Sequence, residues 1–313
     1  MADGTFLTVI GDGFVGDGPA DRSDLIAPGA DGDTVTLNHP TQLVELHDGS
    51  MLLASWHNHK MRRYDPTTGK VLVTCGGDPG YHGDGGPATK ARLNQPISIA
   101  LRSDGGLFIM DQRNQVIRLI DADGFITTVA GKRVVVPGSP LPEGGYDGEG
   151  GAPLEARFNQ PTGSNPPPGG GIALSPGDDE VIYLADQLNQ RIRKVDLRAQ
   201  VVSTIAGTGV PGFSGDGGPA VSAQIHTPRE IGFGPDGRLY VADQGNHRIR
   251  AVDLSSGLIE TVAGNGTAAF AGDGGPAALA SLNLPSGFTF HGSHLYIADT
   301  ENHRVRRVTL ASP

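Results

Sequence analysis

One cysteine, Cys75, in 313 residues leaves no internal disulfide framework. It closes the run Val71-Leu72-Val73-Thr74-Cys75, where a buried small residue is expected rather than a reactive thiol. No apolar run approaches membrane-spanning length, so no membrane partner is expected. No leader opens the chain as written, which reads as cytoplasmic, with secretion left open if a leader has been removed. Helical periodicity is absent over any useful window. No run of Lys or Arg offsets a formal net charge of −10, which argues against nucleic acid as a partner, since phosphate must be neutralised by cations.

What the chain does have is 48 Gly and 23 Pro, and they recur in register. The stretch Asp243-Gln244-Gly245-Asn246-His247-Arg248-Ile249-Arg250 returns at Asp111, Asp186 and Asp299, and in altered form at Ser55. The step is about 56 residues, with one longer step of about 75, a period that marks a repeat architecture. Around each copy lie short β-branched segments bounded by Gly, Pro, Asn and Asp, which predict four strands per unit. A four-stranded unit repeated radially is a β-propeller blade. The predicted fold is therefore all-β, a propeller of five four-stranded blades, with six as the alternative.

The chain is expected to form one domain over 1–313, with blades at about 37–92, 93–157, 158–224, 225–281, and 282–313 completed by 1–36. In that arrangement the N-terminal strand, Thr5 to Gly13, supplies the fourth strand of the C-terminal blade and closes the ring. The stretches Lys132 to Tyr146 and Thr162 to Gly171 are too short and too rich in Pro and Gly to hide a sixth blade.

Asp-x-x-Asn-His-Arg-Ile/Val-Arg, with Leu-Asn-x-Pro before it and Gly-Asp-Gly-Gly-Pro-Ala after it, resembles the NHL repeat across nearly the whole chain. The resemblance implies a propeller, most often six-bladed in that family, that acts mainly as a binding module for a small molecule, glycan, peptide or protein. Some NHL domains bind RNA through a basic face, which has no counterpart here as a charge run. Propellers similar to this one include the zinc-dependent peptidyl-hydroxyglycine amidating lyases, so a metal-assisted lyase or hydrolase at the channel mouth is the alternative.

Residues that keep the repeat are expected to be scaffold, because a catalytic group is needed once and a blade-to-blade clamp in every blade. Asp111, Asp186, Asp243 and Asp299 accept backbone N–H groups at turns, and the Arg residues after them are free to pair with carboxylates. The Gly-Asp-Gly-Gly loops at Asp84, Asp216 and Asp273 lack the carboxylate spacing of an EF-hand.

Candidate functional residues are therefore those that break the repeat. In the first blade Ser55-Trp56-His57-Asn58-His59 loses the carboxylate and gains the only Trp, and Tyr81-His82 precedes the return loop. Trp56, His57, His59 and His82 are candidate ligand-binding residues, with Trp56 as a stacking platform whose truncation weakens a ligand without unfolding the ring. His57 and His59 are also candidate ligands for a transition metal such as zinc. In the fourth blade Arg229-Glu230 stands at the channel mouth and His226 replaces the usual Asn. Arg229 can take a carboxylate or phosphate bidentately, with Glu230 orienting it or acting as a base. Catalytic candidates are Glu230, Arg229 and Tyr81. Asn165 to Gly171 is expected to form a stiff loop over the same face.

Overall fold

The computed structural model describes residues 7–163 and 167–310. They fall into two compact units, one ending at Thr128 and one beginning at Val129. The first unit carries two blades. Blade one runs Pro40–Glu45, Met51–Ser55, Lys60–Asp65 and Lys70–Gly76, and blade two runs Pro96–Leu101, Leu107–Asp111, Val116–Ile120 and Phe125–Ala130, its last strand crossing the boundary. The short strand Ala30–Asp31 adds to the outer edge of blade one, and Gly86–Pro87 does the same for blade two.

The second unit carries three blades. Blade three is Ile172–Ser175, Asp178–Asp186, Arg191–Asp196 and Val201–Ala206. Blade four is Pro228–Phe233, Leu239–Asp243, Arg248–Asp253 and Leu258–Ala263. Blade five has three strands among the described residues, Gly287–His291, His294–Asp299 and Arg304–Thr309. Within each blade the consecutive strands pair antiparallel as a meander. This is the five-bladed, all-β propeller class read from the sequence. Lys132 to Tyr146 holds only a two-stranded hairpin, Val134–Val135 with Pro142–Glu143.

The alternation of side chains along a strand gives each blade two packing faces. In Leu239–Asp243, Leu239 and Val241 join a core with Tyr183, Ala185 and Ile192 of blade three. Tyr240 and Ala242 point the other way, into a core with Leu282, Leu295 and Ile297 of blade five. In the first unit Leu52, Ala54, Met61 and Cys75 of blade one pack against Ile99, Leu107 and Ile109 of blade two. Burial pushes the Cys75 thiol up to about 12, so it behaves as the small apolar residue expected.

Between the second and third strands of each blade sits one 3₁₀ turn: Trp56–Asn58, Gln112–Asn114, Gln187–Asn189, Gln244–Asn246 and Thr300–Asn302. The next residue, His or Gln in every blade, takes the left-handed conformation that ends the turn. Backbone bonds tie the turn to the Asn-x-Pro corner of its own blade, as from Arg113 N–H to Asn94 O at 3.0 Å and from Gly245 N–H to His226 O at 2.9 Å. Both loops thus lie at one end of the blade.

The N-terminal segment places Gly11 N–H on Gly32 O at 3.0 Å, and residues 7–10 carry no strand pairing. Thr5 and Phe6, which open the strand expected to close the ring, lie outside the described residues. So do Asn165 and Pro166 of the expected stiff loop.

Candidate functional site

Repetition dictates where to look, because the recurring residues spend their polar atoms on one another. In blade four Asp243 Oδ1 accepts the His226 N–H at 2.7 Å and Oδ2 accepts Asn246 Nδ2 at 2.8 Å. Arg250, with no exposed surface, lies 3.5 Å from Asp243 and donates to Asp216 at 2.7 Å. The same arrangement joins Arg118 to Asp84 and Asp111, Arg193 to Glu149 and Asp186, and Arg306 to Asp273 and Asp299. The glycine-loop carboxylates thus hold guanidinium groups, which removes the resemblance to calcium ligands.

Two of the motif histidines are spent in the same way. His59 Nδ1 accepts the Gln95 N–H at 3.1 Å and His247 Nδ1 accepts the Leu284 N–H at 3.1 Å, each stitching a turn to the next blade's corner. Burial, then the charge of Arg113, holds His59 down to about 4, so it stays neutral. Tyr81 also serves the frame: its hydroxyl donates to Asp84 at 2.7 Å, lies 2.8 Å from Thr128 Oγ1, and its ring lies under Arg118. Tyr146, Phe213 and Phe270 repeat that ring position in later blades. His82 is exposed, and its main-chain carbonyl accepts from Arg118.

Blade one departs from this frame. Ser55 has no carboxylate, and Asn58 Oδ1 takes over, accepting the Asn38 N–H at 2.9 Å and Arg62 Nη1 at 3.0 Å. Trp56 is only 2% exposed. Its indole N–H donates to Gln112 Oε1 at 3.1 Å, and the His57 ring stacks over it at 4.1 Å. The indole is therefore not an open platform; His57 covers it. His57 in turn faces His39, a residue that sequence reasoning passed over as the variable position of Asn38-His39-Pro40. Burial, then His39 and Arg113, lower the His57 pKa. Among the described residues no three His, Cys, Asp or Glu side chains gather as a metal-binding group.

The second unit holds the other deviation. Between Pro228 and Ile231 the pairing with Asp243 to Val241 slips by one residue, so Arg229 and Glu230 form a β-bulge opposite Ala242. Bulges re-aim side chains out of the regular pleat. Gly171 donates its N–H to Arg229 O at 3.0 Å, and a Cβ there would strike that oxygen at 2.7 Å, so the blade-three chain passes close only because it is glycine. Neither the Arg229 guanidinium nor the Glu230 carboxylate has a hydrogen bond or ion pair with another side chain among the described residues. Burial pushes Glu230 up to about 7, opposed by Arg229 and the Ile231 N–H, and lowers Arg229. His226 lies against Gly245, where a Cβ would meet its ring at 2.6 Å. A carboxyl that titrates near neutrality beside an unpaired guanidinium can accept or donate a proton and hold an anion.

The Teneurin NHL domain family matches residues 67–145. Human NHL repeat-containing protein 2 is 34% identical over 178 residues, 50% of this chain and 23% of its own. The Teneurin NHL match spans the Asp111 copy of the motif. The chain is similar to NHL-repeat β-propeller proteins. Teneurin-m of Drosophila melanogaster is 28% identical over 296 residues, 85% of this chain and 10% of its own. The chain thus spans a quarter or less of the length of these NHL relatives. Among solved structures, an auxiliary nutrient binding protein from Bacteroides ovatus aligns with a TM-score of 0.58 at 15% identity, over 88% of this chain and 61% of that one. At that identity the chain and its neighbour share a fold.

Proposed function

We propose that this NHL-like propeller is a ligand-binding module and that Arg229 and Glu230, on the blade-four bulge, are its docking residues for a small molecule bearing a carboxylate or phosphate. The observation that carries this reading is the pair of opposite charges on the bulge with no side-chain partner among the described residues. Everywhere else in the repeat, buried Arg groups are spent on carboxylates. Arg229 is half-buried, and an anionic group from outside can pair with its guanidinium through two N–H···O bonds. Glu230 beside it accepts a ligand hydroxyl or ammonium when ionised and donates when protonated. The Bacteroides neighbour, named for nutrient binding, is a protein of this fold that serves binding, which supports the general role without naming a ligand.

The test is a thermal-shift screen with simple mono- and dicarboxylates and phosphate esters. A ligand present at a hundred times its Kd adds about 2.7 kcal/mol of stability, enough to move the transition visibly. The reading expects at least one such shift, lost in Arg229→Gln. If every shift persists in Arg229→Gln, or none occurs, the assignment fails.

A further inference from the structure

In the first unit three polar atoms meet at the corner of blade one. His39 Nδ1 lies 2.8 Å from Asn38 Oδ1 and 2.9 Å from His57 Nδ1, and His57 Nδ1 lies 3.4 Å from the same Asn38 Oδ1. All three edges meet hydrogen-bond geometry, so the in-plane orbitals of both ring nitrogens are directed into the triangle.

Hydrogen bonds alone do not account for it. An imidazole nitrogen has one in-plane orbital and is either a donor or an acceptor, never both. Around a triangle of three mutual neighbours, donors and acceptors cannot alternate, so any placement of protons leaves one edge with two lone pairs or two N–H groups face to face. Turning the Asn38 amide over changes which edge is mismatched and removes none. A cation at the centre satisfies all three at once, because each atom then presents a lone pair to it.

The dimensions fit. A point about 2.1 Å from all three atoms, the usual metal–imidazole distance, lies roughly 1 Å off their plane. Edges of 2.8–3.4 Å are those of one face of a four- to six-coordinate shell. His39 is exposed and Asn38 and His57 are half-buried, which leaves the remaining positions to water or a ligand. His39 is held in place at φ 50°, between the 3₁₀ turn and Pro40, and the Trp56 ring supports His57 from behind at 4.1 Å.

We propose that His39, His57 and Asn38 form a binding site for a divalent first-row transition metal of the imidazole-preferring kind, Zn(II), Ni(II), Co(II) or Cu(II). The pair is His39 with His57; His59 is excluded from it, because its Nδ1 is taken by the Gln95 N–H. The site is independent of the Arg229 reading, and either stands if the other falls.

The experiment uses the full chain, stripped with a chelator and titrated with Co(II) and Ni(II). Trp56, the only Trp, is the reporter, since its ring lies on the His57 ring. The expected result is saturable quenching of its fluorescence at one equivalent, with a visible Co(II) absorption band. Both are lost in His39→Asn, which tolerates the left-handed backbone but has no imidazole. His57→Gln loses both as well, and serves if His39→Asn does not fold. His294→Ala, a control histidine in the second unit, titrates like the parent. Absence of saturable quenching in the parent, or titrations of the folded His39→Asn or His57→Gln chain that match it, overturns the site.

Discussion

The Arg62 guanidinium lies 3.5 Å from Asp24, a carboxylate from outside the repeat, and neither group is more than 3% exposed. Blade one has Ser55 where blades two to five have Asp, and every other such Arg is held by that Asp. Asp24 returns the missing negative charge from a different part of the chain, and Asp17 at 3.0 Å supplies the loop carboxylate. Removing one partner of a buried ion pair strands the other. Asp24→Ala is therefore expected to cost about 3–5 kcal/mol. Asp17→Ala, whose side chain is half exposed, should cost about 1 kcal/mol or less. Urea midpoints of the two variants check this, and equal losses would mean that Asp24 is not the replacement charge. Ser55→Asp should rescue Asp24→Ala, because it restores the arrangement of the other blades.

Asp243 is the same device in its regular form. Its two oxygens hold a backbone N–H, the Asn246 amide and Arg250. Asp243→Ala leaves three buried donors to find new partners, which places the loss at about 3 kcal/mol or more. Asp243→Asn keeps the shape but not the charge, so a smaller loss is expected. Chemical denaturation of both variants reads the order; no loss in Asp243→Ala would remove the carboxylate from the scaffold.

Trp56 changes role once its surroundings are known. An indole 2% exposed, bonded to Gln112 and covered by His57, is part of the packing. Trp56→Ala is expected to destabilise the chain by about 3–5 kcal/mol, the usual cost of emptying an aromatic site. Trp56→Phe keeps most of the volume and should lose about 1 kcal/mol through the Gln112 bond. A thermal melt of Trp56→Ala close to that of the parent would return Trp56 to the surface role that its sequence position first implied.

The blades were legible because strand, turn and clamp recur in register, and a recurring residue announces a recurring job. Asp243, Arg250 and Asp216 are all readable in this way. Asp24 and His39 were not, for the same reason inverted: each acts once. Asp24 falls outside the motif, and His39 sits at the variable position of Asn-x-Pro, where Gln95, Thr227 and Leu284 show no common chemistry. Trp56 was misleading because its counterparts Gln112 and Gln187 are polar yet buried, so sequence polarity hid an enclosed position. Tyr81 looked like a deviation because Phe213 and Phe270 fill its place with a different residue type.

Glu230 gives the test that depends on pH. Its ordinary value is 4.5, and in the folded chain burial raises it to about 7. Between those values the folded state holds a proton that the unfolded state has released. The stability contributed by the protonated carboxyl is fully present below about pH 4.5 and is lost as pH rises through 7. Glu230→Gln keeps a neutral side chain of the same shape at every pH, so it should match the parent near pH 5 and exceed it by about 1–3 kcal/mol at pH 8. Taking the difference between the two proteins cancels other groups titrating nearby, among them Asp186 and Asp243, each raised to about 6 by burial. Urea midpoints at the two pH values provide the measurement. A difference that does not change with pH would show that Glu230 ionises freely, and an open, solvated carboxylate would no longer mark the bulge as a site built to receive a ligand.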